Sequence, residues 1–119
     1  MSKTLCLCTA LFVALGGEAS AHAMLKSARP GVGSTYATAP RAIELEFSEG
    51  VVPSFSSIAL RDDAGHAVHL GRLAKGASAT ILVVPIVDPL PAGAYKVTWH
   101  AVSVDTHRTQ GSFGFTVAR

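Results

Sequence analysis

Two runs of strict apolar and polar alternation limit what this chain can fold into. Ile43, Leu45 and Phe47 alternate with Glu44, Glu46 and Ser48, and Phe113, Phe115 and Val117 alternate with Ser112, Gly114 and Thr116. A period of two places successive side chains on opposite faces of an extended strand, so each run supplies one inward apolar row. No stretch has the i, i+3, i+4, i+7 spacing of a long amphipathic helix. Further strands are expected at 24–28, 56–61, 67–70, 80–85 and 94–102. They are separated by turn clusters such as Arg29-Pro30-Gly31, Asp62-Asp63-Ala64-Gly65 and Pro89-Leu90-Pro91-Ala92-Gly93. The fold class is therefore all-β, with about seven strands. Their spacing fits either a two-sheet Greek-key sandwich or a closed β-barrel.

The first 21 residues stand apart from this pattern. Lys3 precedes an apolar run over residues 4–15, and Ala19-Ser20-Ala21 follows it, which is the layout of a secretory signal peptide cleaved after Ala21. The run is shorter than the roughly 20 residues a membrane-spanning helix needs, and no later segment is apolar for that length. The expected organisation is a removed leader, 1–21, and one β domain, 22–119, exported to the periplasm without membrane insertion. Cys6 and Cys8 both leave with the leader, so the exported domain has neither a disulfide nor a thiolate ligand. Ten Lys and Arg against eight Asp and Glu, without a basic run, give no footprint for nucleic acid.

Cleavage after Ala21 changes the chemistry of His22. As the first residue it presents a free α-amine beside its ring Nδ1, and the two nitrogens can close one chelate ring on a metal. Reference pKa values near 8 and 6.5 let both lose their protons to a metal at neutral pH. Asp105-Thr106-His107 supplies a second pair: if the strand begun at residue 94 runs on that far, Asp105 and His107 project from one face. Three nitrogens and a carboxylate oxygen form a tetragonal set suited to Cu(II), with zinc the second choice in the absence of thiolates. No catalytic residue is expected, because Ser103, Asp105 and His107 on one strand would not converge as a nucleophile, a base and an orienting acid must.

Taken together, His22-Ala23-Met24-Leu25-Lys26-Ser27-Ala28-Arg29-Pro30-Gly31, Ile43-Glu44-Leu45-Glu46-Phe47-Ser48-Glu49, Ala92-Gly93-Ala94-Tyr95-Lys96-Val97-Thr98-Trp99, Ser103-Val104-Asp105-Thr106-His107 and Gly111-Ser112-Phe113 resemble the periplasmic copper-resistance protein C (CopC-like) family over essentially all of 22–119. The resemblance implies a Greek-key, immunoglobulin-like β domain that binds Cu(II) through His22 and His107 with Asp105 near the metal. It makes Glu49 a weak ligand or a neighbour of the ligands. It also implies a role in copper resistance and homeostasis, with an inner-membrane copper-import protein as recipient. Members with a Cu(I) site carry a methionine-rich loop; here the corresponding stretch, 62–76, holds His66 and His69 and no thioether, so no soft-ligand site is expected. His66 and His69 are expected to face solvent, and His100, by strand parity, to point away from Asp105 and His107. Ala23 and Arg108 stand where many relatives have proline, and His100 where many have arginine.

Two other functions fit parts of the pattern. A copper-dependent oxidative enzyme would use similar ligands, but it needs a broad substrate surface of long loops for which this chain has no material. An immunoglobulin-like adhesion or assembly module would make the histidines incidental.

Overall fold

The computed structural model describes residues 23–119, so the leader and His22 lie outside the described residues. Eight strands form two layers: β1 (Leu25–Arg29), β2 (Thr35–Tyr36), β3 (Ala42–Phe47), β4 (Ser57–Asp62), β5 (Ala74–Lys75), β6 (Ile81–Pro85), β7 (Gly93–Val102) and β8 (Arg108–Val117). One sheet has the order β1-β3-β6-β5 and the other β2-β8-β7-β4. All pairs are antiparallel except β2 with β8. No described ladder joins the two sheets edge to edge, so the sandwich alternative holds and the closed barrel does not. No helix among the described residues is long and apolar enough to cross a membrane.

The alternating runs behave as period two requires. Ile43, Leu45 and Phe47 of β3 and Phe113, Phe115 and Val117 of β8 are buried, and they meet Leu82 and Val84 of β6 and Tyr95, Val97 and Trp99 of β7. Phe47 packs edge-on against Trp99 across the sandwich at 5.2 Å between centroids, and Tyr95 stacks on Phe115 at 5.5 Å. Trp99 and Tyr95 are thus core residues. Truncating one such buried ring costs about 3–5 kcal/mol.

The expected strand at 67–70 does not form. Ala67 and Leu70 make only isolated bridges, to Arg61 and Ile86, because Asp62 caps the turn before them by accepting from the Ala64 and His66 N–H groups at 3.0 and 2.8 Å. The two-residue strands β2 and β5 are too short to carry any periodic signal. The last strand begins at Arg108, well before its alternating part, because β7 and β8 pair without a bulge from Gly93↔Val117 to Val102↔Arg108.

Two local contacts lock this hairpin. The Tyr95 hydroxyl donates to the Pro91 carbonyl at 2.5 Å, a tyrosine corner of the kind immunoglobulin-like sandwiches use to fix a strand entry. Gly111 lies opposite Trp99, and a methyl group there would sit 2.7 Å from the indole Cζ2. Gly111→Ala is therefore expected to lower stability by about 1–3 kcal/mol through overpacking, read as a lower denaturation midpoint with altered Trp99 fluorescence. Tyr95→Phe should lose about 1 kcal/mol, the net worth of one hydrogen bond; an unchanged midpoint would remove the corner from the list of stabilising contacts.

Candidate metal site

The β7–β8 hairpin turns at Val104-Asp105-Thr106. The Ser103 N–H donates to the His107 carbonyl at 2.9 Å, and the Thr106 N–H donates to the Ser103 carbonyl at 2.9 Å. Thr106 has φ +74, the left-handed residue that a three-residue hairpin connection needs at its third position. Asp105 and His107 therefore lie in a turn, and the expectation that they share the face of a continuing strand is corrected: β7 ends at Val102. They meet nonetheless. His107 Nδ1 is 3.3 Å from Asp105 Oδ1, and both side chains are nearly half exposed. The strand-parity contrast with His100 lapses with the strand, although His100 does point outward into solvent.

Ser103 lies beneath this pair and is buried at 1% exposure. Its hydroxyl donates to the Asp105 carboxylate and accepts from the His107 N–H at 3.2 Å. The Ser103 hydroxyl holds the Asp105 carboxyl below its ordinary value, with His107 acting in the same direction and desolvation opposing both.

A short segment after β3 connects this turn to the start of the described chain. Ser48 donates its N–H to the Met24 carbonyl at 2.8 Å and accepts from the Met24 N–H through its hydroxyl at 2.8 Å. Two residues on, the Gly50 carbonyl accepts from Val104 N–H at 3.0 Å, and Val51 bridges Ser103. Val51 N–H also donates to Ala79, ahead of β6, at 3.0 Å. The segment 48–51 thus stitches both sheets at one end of the sandwich and carries half-buried Glu49 between Met24 and the turn. Ala23, the first described residue, is already buried.

Among the described residues no three His, Cys, Asp or Glu side chains lie close enough together to hold a metal. The structure brings Asp105 and His107 together and does not group Glu49 with them. His22 falls outside the described residues. His66 and His69 are both exposed, with His66 Nδ1 3.5 Å from Asp62 Oδ2. Ser103 is not marked by ligand chemistry in the sequence, since a serine hydroxyl ranks low as a metal ligand. Its sequence signal was a polar residue at an inward position of an otherwise apolar row.

The CopC domain family matches residues 25–118. The chain belongs to the CopC family. CopC relatives include copper resistance protein C of Escherichia coli, 38% identical over 90% of each chain. The copper transport protein CutJ of Bacillus subtilis is 31% identical over 83% of this chain, a match that occupies only 18% of that longer protein. Among solved structures, the methionine-rich copper resistance protein PcoC of Escherichia coli superposes with a TM-score of 0.73 at 40% identity, covering 82% of this chain and 99% of that one.

A lowered Asp105 pKa has a defined sign. The folded chain favours the carboxylate, so its contribution to stability is complete above the unfolded value near 3.9 and is lost only as pH falls through the lower folded value. Following the Asp105 side-chain carboxyl ¹³C shift in acid should give a midpoint below 3.8; a midpoint at or above it would show that the serine contact does not persist in solution.

Proposed function

We propose that this CopC-family protein is an exported Cu(II)-binding protein of copper resistance and homeostasis, which sequesters the ion or passes it on. The ion is cargo. Cleavage after Ala21 would release the His22 α-amine, and the amine with ring Nδ1 forms a bidentate end. His107 adds a third nitrogen and Asp105 an oxygen. The observation that carries this assignment is the double tether of segment 48–51, which is bonded to Met24 on one side and to Ser103 and Val104 on the other. Two residues of chain reach at most about 7 Å, so an end starting two positions before Met24 stays within range of that tether.

The donor set favours Cu(II) over softer or harder ions: imidazole and amine nitrogens with one carboxylate suit a tetragonal divalent ion at the top of the affinity series. PcoC is called methionine-rich, whereas this chain has two methionines, Met1 and Met24; a thioether Cu(I) site has no material here. The carboxylate offsets the charge of the bound ion, and its closeness to the His107 ring, 3.3 Å from Oδ1 to Nδ1, keeps the two donors together. Glu49, on the stitching segment, is not grouped with Asp105 and His107, which leaves it at most a neighbour of the ligands. The protein acts as a carrier in the periplasm and not as an enzyme. The occurrence of a matching domain within a longer copper transport protein supports an inner-membrane copper-import protein as recipient.

Protein that begins at His22 is expected to bind Cu(II) at least ~100-fold more tightly than the same chain with one extra residue ahead of His22, because a lost ligand should exceed the 10–100-fold typical of lost outer partners. Competition with a chelator measures the difference, and electron spin resonance reports the nitrogen count. Equal affinities would remove the chain end from the site; a spectrum lacking a third nitrogen, or unchanged in His107→Ala, would remove His107.

A further inference from the structure

We propose that Ser103 is the positioning residue of the copper site, presenting Asp105 to the ion through a single carboxylate oxygen. The proposal rests on the copper-site assignment above and goes beyond it by naming a residue that touches no metal. Ser103 is the one polar residue among the buried side chains described, and its hydroxyl is fully engaged. It donates to Asp105 Oδ1, with the His107 carbonyl a longer second acceptor at 3.3 Å, and it accepts the His107 N–H. Oδ1 is also the oxygen that faces His107 Nδ1 at 3.3 Å. One carboxylate oxygen is thus committed to the protein twice over, and in the proposed site Oδ2 is the oxygen that meets the ion.

The consequence is preorganisation. Asp105 sits on an exposed three-residue connection, where a carboxylate without a partner samples several rotamers and can chelate an ion through both oxygens. A buried hydroxyl anchored by the Val51 bridge and the Ser103–His107 backbone bond removes that freedom before the ion arrives. The same hydroxyl holds the backbone of His107, so one side chain sets the spacing of both donors. A site held by residues whose own rotamers are locked binds more tightly than one that must order on binding.

The test uses chains processed to His22, with Cu(II) alone as the probe. Ser103→Ala is expected to weaken Cu(II) binding about 10–100-fold and to change the spin-resonance hyperfine splitting, while far-ultraviolet dichroism stays that of the folded domain. Ser103→Thr, which keeps the hydroxyl, should retain the wild-type spectrum. In an Asp105→Ala background, Ser103→Ala should cost clearly less than in the wild type, because only its hold on His107 remains to be lost. Wild-type affinity and spectrum in Ser103→Ala would overturn the proposal, and so would an equal loss in both backgrounds, which would mark a role in hairpin stability alone. Should the alanine variant not fold, three-bond couplings of Asp105 in the wild-type apo protein decide: a single χ1 rotamer is expected, and rotamer averaging overturns the proposal. A wild-type chain that takes up no copper would instead refute the function itself.

Discussion

The β7–β8 ladder is the structure on which everything else rests. Its ten uninterrupted pairs face one row of aromatic and branched side chains into the core and force the chain to reverse at a fixed point, between Ser103 and His107. Because side chains alternate with a strict period of two, a slip of one residue would turn Tyr95, Val97 and Trp99 to solvent together. The register that buries the core therefore also fixes where the hairpin turns. The Asp105 and His107 donors inherit their position from hydrophobic packing well removed from them.

The segment facing the hairpin turn depends on a different kind of contact. Segment 48–51 is irregular, yet its hydrogen bonds run to three places at once: Met24, the hairpin turn and the lead-in to β6. Backbone groups at the end of a sandwich must find partners, and here they find them in one another. That stitching ties Met24 and the hairpin turn to one segment, which is the arrangement the proposed chelating chain end at His22 requires.

Much of this was legible in residues. The alternation at Ile43–Phe47 and Phe113–Val117 places the two main core rows correctly. The i, i+2 spacing of Asp105 and His107 predicts their closeness, but not its cause: they meet across a turn rather than as same-face neighbours on a strand. Thr106 hides that turn, since a β-branched residue rarely occupies the left-handed region where glycine is expected. The 67–70 strand was over-read because Ala67, Val68 and Leu70 are apolar, whereas the Asp62-capped turn decides their conformation. Ser103 went unnoticed as a support for the site, since its role exists only through a carboxylate two residues later and a burial that no local pattern reveals.

What the sequence by itself determined is the β class, the inward rows, and the chemical types able to bind copper, because these follow from side-chain alternation and donor chemistry, which are local. Only the tertiary structure decided for an open sandwich over a closed barrel, brought the 48–51 segment against both Met24 and the hairpin, and buried Ser103 beneath Asp105 and His107. Those are long-range outcomes: they depend on which strand edges pair and which backbone groups remain unsatisfied at the end of a sheet, and no window of adjacent residues contains that information.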